Sequence, residues 1–243
     1  MKLLKHIIEP KRLLIVWQNL QEGSSAGRRY IVGELILAEN NEVELRYFKD
    51  CEDFKEASNL GFKGYSIFDK DQAVYTQNVM DTLKRRIPPR QRADFQDFLR
   101  YYRIESKAGF QMTDFALIGY TGAKLPGDSF SFVHTFENAP IPCEMTIDVA
   151  GARHYCQEFN NLQSLVNASV SFTSEPNNPN DSQAVVIKTI NNERLMPIGY
   201  VNRAQTKTFN KWMQNYHLEG IIERVNGTPE KPNILLYVKV MAE

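Results

Sequence analysis

Between residues 175 and 187 the chain changes character within a few positions. Glu175-Pro176-Asn177-Asn178-Pro179-Asn180-Asp181-Ser182-Gln183 is polar apart from its prolines, and Ala184-Val185-Val186-Ile187 is apolar and mostly β-branched. Pro176 and Pro179 fix their own φ and drive Glu175 and Asn178 towards extended backbone. Asn177, Asn178, Asn180 and Asp181 carry short side chains that hydrogen-bond nearby amides and tolerate turn geometry. The stretch predicts a tight polar loop feeding a buried strand. A second apolar segment, Ile198-Gly199-Tyr200-Val201, follows and closes on Asn202-Arg203. Such a loop gathers amides, a carboxylate and free backbone N–H groups on one small surface. Taken alone, it needs no role beyond starting a strand.

The remaining punctuation predicts an α+β chain in two parts. Residues 11–20, 28–38 and 42–48 read as strands, with Gly33 at a bulge or close approach and Asn40-Asn41 at a hairpin turn. Helical spacing then takes over at 53–60, 71–86, 90–103 and 110–119, with Pro88-Pro89 as a break. Residues 121–128 are a loop and 129–136 a strand. Asn138-Ala139-Pro140-Ile141-Pro142 is the linker that separates residues 1–137 from residues 143–243. Beyond it, 145–150, 170–173, 184–190, 218–225 and 234–241 read as strands, a new element begins at 152, and 204–215 is a helix. Many short strands with one helix suit a small barrel.

Composition narrows the function classes. The 243 residues are 42% hydrophobic and 24% charged, which is enough for a core. The formal net charge is zero, against the basic balance of many dedicated nucleic-acid binders. Residues 1–140 hold 20 basic and 19 acidic groups, and residues 141–243 hold 9 and 10. Any anion site must therefore be local. Cys51, Cys143 and Cys156 are too few and scattered for a disulfide framework or zinc site, and the four histidines show no ligand spacing. No Ser/His/Asp, Cys/His or paired-carboxylate pattern stands out. The expectation is a protein with no catalytic residues, no metal and no cofactor. The N-terminus lacks a signal-peptide pattern and no run of about 18 apolar residues occurs, so the expected location is cytoplasmic, off the membrane.

The loop and the strand after it resemble the HIRAN domain, whose pattern runs Glu-Pro-x-Asn-Pro-Tyr-Asp, then Ala-Val-x-Val, then Ile-Gly-Tyr-Val-Pro-Arg. Ala150-Gly151-Ala152-Arg153-His154-Tyr155 matches a further Gly-x-Arg-type stretch of that family, so the resemblance covers about 100 residues from Glu144 onwards. It implies a small β-barrel that binds single-stranded DNA, in particular its 3′ end. Carried over by position, it assigns the nucleic-acid site to Arg153, His154, Tyr155, Asn178, Asn180, Asp181, Tyr200 and Arg203. Arg153 and Arg203 would contact phosphate, Asp181 would accept a hydrogen bond from a terminal sugar hydroxyl, and Asn178 would shape the pocket. The chain departs from the pattern at Asn180, where DNA-binding members carry an aromatic, at His154 in place of tyrosine, and at Asn202 in place of proline. One lost stacking ring is worth roughly 1–3 kcal/mol.

Two other stretches bear on function. Tyr30-Ile31-Val32-Gly33-Glu34-Leu35, Leu83 to Asp97, and Phe115 to Leu125 faintly resemble the N-terminal portion of HipA-type proteins. That resemblance implies the alternative of a protein-interaction or regulatory module with no nucleic-acid role, and it carries no kinase activity because no catalytic loop follows. Lys84-Arg85-Arg86 with Arg90 and Arg92 is the densest basic patch, open either to solvation or to an auxiliary phosphate contact. Gly119 to Lys124 lacks the spacing of a phosphate loop and reads as a structural turn. The resulting expectation is a non-enzymatic binder of DNA ends or single-stranded DNA, with a protein partner also possible.

Overall fold

The computed structural model describes residues 3–21, 23, 27–104, 112–159, 161–191, 194–228 and 230–242. The chain divides into two compact units. One holds Glu9–Tyr102 and Ser106–Thr135, and the other holds Met1–Ile8, Arg103–Glu105 and Phe136–Glu243. Among the described residues no helix is long and apolar enough to cross a membrane.

The first unit contains β1 (Arg12–Gln18), β2 (Arg29–Leu37), β3 (Val43–Tyr47), α1 (Glu52–Asn59), β4 (Gly64–Tyr65), β5 (Phe68–Asp69), β6 (Val74–Tyr75), α2 (Val79–Lys84), α3 (Phe95–Tyr101), α4 (Asp114–Thr121) and β7 (Phe130–His134). Five strands form one antiparallel sheet in the order β6-β3-β2-β1-β7. The unbroken apolar run of β1 marks a strand buried on both faces, with Leu13 and Ile15 buried on one side and Leu14 and Val16 on the other. Gly33 has a steric cause. A Cβ there would meet the Arg46 carbonyl at 2.4 Å, and the β1–β2 register shifts beside it. α1 starts where the Cys51 sulfur accepts from the Phe54 amide, and Asp53 docks it by accepting from the Ile31 amide at 2.9 Å.

The helical pattern was overridden at two places. A helix over 71–86 begins only at Val79, because Val74 and Tyr75 add an edge strand to β3 and Asn78 turns the chain at φ 58°. The helix over 90–103 shrinks to Phe95–Tyr101. The one expected over 110–119 is α4, from Asp114, with Phe110 and Gln111 outside the described residues. Gly119 to Lys124 is the end of α4, with Gly122 at φ 69° as its cap, which is the wrong end of a helix to receive a phosphate.

The second unit contains β8 (Cys143–Asp148), short 3₁₀ turns at Ala152–His154, Cys156–Glu158 and Leu162–Leu165, then β9 (Ser169–Ser174), β10 (Val185–Asn191), β11 (Arg194–Tyr200), α5 (Thr206–Asn215), β12 (His217–Thr228) and β13 (Lys231–Met241). The expected barrel does not form. The six strands make an open antiparallel sheet in the order β11-β10-β9-β12-β13-β8. The β8 ladder with β13 ends at Asp148, and Gly151 at φ 70° swings the chain into the 3₁₀ turns. Among the described residues the two edges meet only at the bridge between Ala150 and Tyr200. α5 lays Phe209 and Trp212 into the core, with the Phe209 ring 5.3 Å from that of Phe172. The N-terminal segment joins this unit: Leu4 pairs with Ile104, and Glu144 accepts from the Lys5 amide at 2.5 Å. Burial alone would push the Glu144 carboxyl up. Hydrogen bonds from Lys5, Tyr237 and His6 outweigh it and hold the group below the usual range.

Candidate functional site

Three segments that the sequence separates meet at the end of β11. The first is the turn after β8, tied on by two backbone bonds between Ala150 and Tyr200, both 2.8 Å. The second is the loop from 175 to 184, and the third is β11 itself, just beyond which the Val201 amide donates to the Val185 carbonyl at 3.0 Å. Gly199 is the residue that lets them meet. At φ 139° it lies so close that a Cβ would strike the Ala150 carbonyl and the Val149 side chain, both at 2.5 Å.

The loop is built around one side chain. Asn178 Oδ1 accepts from the amides of Asn180 and Asp181 at 3.0 and 3.3 Å, the Asx geometry expected of it. Its Nδ2 donates to Glu175 at 3.1 Å and to the Tyr200 hydroxyl at 3.3 Å. Tyr200 donates to Glu175 at 2.9 Å, and Tyr155 reaches the same hydroxyl at 3.1 Å with its ring edge-on, 5.8 Å between centroids. Burial, then its bonds to Tyr155 and Glu175, push the Tyr200 hydroxyl well above its ordinary pKa, so it keeps its proton at neutral pH. At the other end of the loop, Asn210 of α5 donates to the Gln183 carbonyl at 2.9 Å and hydrogen-bonds Ser174.

Of the residues the sequence nominates, the structure brings Tyr155, Asn178 and Tyr200 into one half-buried cluster. Asp181 stands on its rim. One of its oxygens accepts from the Gln183 amide at 2.8 Å, so it also caps the turn. Asn180 is exposed and supplies a backbone N–H. Arg153 and His154 are exposed on the first 3₁₀ turn, where Arg153 donates to His154 at 3.1 Å. Arg203 is exposed on the turn before α5, its carbonyl accepting from Thr206. Two members were missed. Glu175 opens the motif, and the acid three residues before Asn178 was its signal. Asn210 comes from a distant helix and had none.

The basic patch has a different fate. Arg86 is buried and paired with Asp128, and it also donates to the carbonyls of Ala123 and Phe130. Arg90 holds Asp114 at 2.7 Å and Arg92 holds Asp94 at 2.6 Å. A phosphate contact from Arg86 is excluded, because the charge is spent inside the fold.

Residues 144–241 match the HIRAN domain. The matched region contains every nominated site residue. Among solved structures, the HIRAN domain of human HLTF is similar at 20% identity and a TM-score of 0.32, covering 41% of this chain and 76% of that one. A protein from Lactobacillus plantarum is similar at 24% identity and a TM-score of 0.34, covering 40% of this chain and 92% of that one. No curated protein sequence matches the chain. The HIRAN match does not reach the N-terminal part, where the HipA-type resemblance has only its sequence stretches behind it.

Proposed function

We propose that this protein is a non-enzymatic binder of single-stranded DNA that recognises the 3′ end through its HIRAN domain. The observation that carries the reading is the convergence of all three motif segments of that domain on the Tyr155–Tyr200–Asn178–Glu175 cluster. Hydroxyls and amides are already satisfied among themselves there, so the loop is preorganised before any ligand arrives. In this reading Arg153 and Arg203 hold phosphates from two sides, and the Tyr155 and Tyr200 rings offer stacking faces in place of the aromatic missing at Asn180. One Asp181 oxygen holds the turn, and the carboxylate accepts the 3′-hydroxyl. A 3′-phosphate would set charge against charge and remove the donor.

The test is a fluorescence-anisotropy titration of the full chain with oligonucleotides ending in a 3′-hydroxyl or a 3′-phosphate, over a range of salt. The expected result is tighter binding of the hydroxyl end and an affinity that falls steeply with salt. Equal binding of both ends sinks end recognition, and absence of binding sinks the nucleic-acid role and favours a protein-interaction module.

A further inference from the structure

The three strands β9, β10 and β11 form a half-sheet with two unlike faces. α5 covers one, through the Phe209–Phe172 contact and the bond between Ser174 and Asn210. The other face follows from the register, since residues directly opposite share a face. Thr173, Val186 and Tyr200 are aligned across it, then Ser171, Lys188 and Pro197, then Ile190 with Leu195. The face therefore runs on from Tyr200 along the β10–β11 hairpin. A solvated sheet face is usually polar. Here Ser171 and Thr173 are exposed as expected and Val186 is buried beside Tyr200, but towards the hairpin Ile190 is 66% and Leu195 57% exposed, side by side. In a chain with 29 acidic and 29 basic residues, this face carries Lys188 and no carboxylate from the three strands, while Arg194, opposite Asn191, belongs to the other face.

We propose that this face is a track along which a single nucleic-acid strand runs away from the end-recognition site. The proposal rests on reading the Tyr200 region as that site. Ile190 and Leu195 form an apolar platform for a base, Lys188 meets a backbone phosphate, and the exposed hydroxyls of Ser171 and Thr173 donate to phosphate or sugar. Tyr200 and Leu195 are five residues apart, roughly 16 Å at about 3.3 Å per strand residue, which leaves room for more than one nucleotide. The charge favours a polyanion. Pro197 in β11 makes this edge a poor one for adding a peptide strand, because proline cannot donate to a ladder.

The test compares a dinucleotide with an oligonucleotide of about eight nucleotides, within the site size of small single-strand binding folds, both with a 3′-hydroxyl and both on the full chain. The expected result is that the longer strand binds the parent more tightly. The double variant Ile190→Ser/Leu195→Ser loses about tenfold on the longer strand, with competition by the dinucleotide unchanged. Lys188→Gln, an independent variant should the double one melt early, lowers the salt slope for the longer strand by about one. Equal affinity for both lengths, or parent-like binding of the longer strand by both variants, overturns the track and leaves the end site standing. Failure of the parent to bind either strand overturns the end site, and the track with it.

Discussion

The two basic regions of this chain differ in what their charges face. Arg86, Arg90 and Arg92 are close in sequence, and each has an aspartate of its own unit as partner. Arg153 and Arg203 are fifty residues apart in sequence and stand exposed on two turns flanking one hydroxyl–amide cluster. Charge density along a sequence is therefore a poor guide to an anion site. A guanidinium that is buried must be paired, because desolvation costs several kcal/mol. One that stays at the surface keeps its water, and in the proposed function Arg153 and Arg203 are the ones that meet phosphate.

That comparison can be broken, beginning with its largest expected effect. Arg86→Met leaves Asp128 and two carbonyls without their donor, and the N-terminal unit should lose about 3–5 kcal/mol in a denaturant titration. Oligonucleotide affinity of the folded protein should not move. A variant that keeps its stability and loses binding would reverse the roles of the two regions. Next comes Gly199→Ala, whose Cβ has no room against Ala150 and Val149 and sits at a φ that disfavours any side chain. It should cost about 2 kcal/mol or more and weaken binding as well, since the turn carrying Arg153 must shift. A melt combined with an anisotropy titration reads both effects, and an unperturbed melt would show that the turn is not pinned there.

The remaining two variants sharpen the comparison inside the C-terminal site. Tyr200→Phe removes the hydroxyl shared by Glu175, Asn178 and Tyr155, and a loss of about 1–2 kcal/mol in stability is expected. The loop should loosen with it, which amide exchange at Asn180 and Asp181 would reveal; unchanged protection would contradict a loop held by Tyr200. Arg203→Ala is the smallest structural change. Stability should stay within about 0.5 kcal/mol, while affinity falls for every sequence and the salt slope drops by about one. Identical binding at all salt concentrations would remove Arg203 from the interface.

The legible parts of this protein were those governed by near neighbours. Pro176, Pro179 and the Asn/Asp run announced the 175–184 loop, and Asn178 does bond the amides two and three residues on. The apolar run of β1, the end of α4 and the placing of α5 were open to the same local rules. Illegible were the outcomes of competition between distant partners. Val74 and Tyr75 fall within a helical spacing but pair with β3. The half-closed edge of the C-terminal sheet was decided by where β8 runs out of partners and by the approach of Gly199 to Ala150. Arg86 reads from the sequence as a solvated helix end or an auxiliary phosphate contact, and it is instead paired with Asp128, more than forty residues away. Turn chemistry and side-chain period act over a few residues and can be read from order alone. Pairing, burial and charge neutralisation depend on which surfaces meet, and only the folded chain brings those surfaces together.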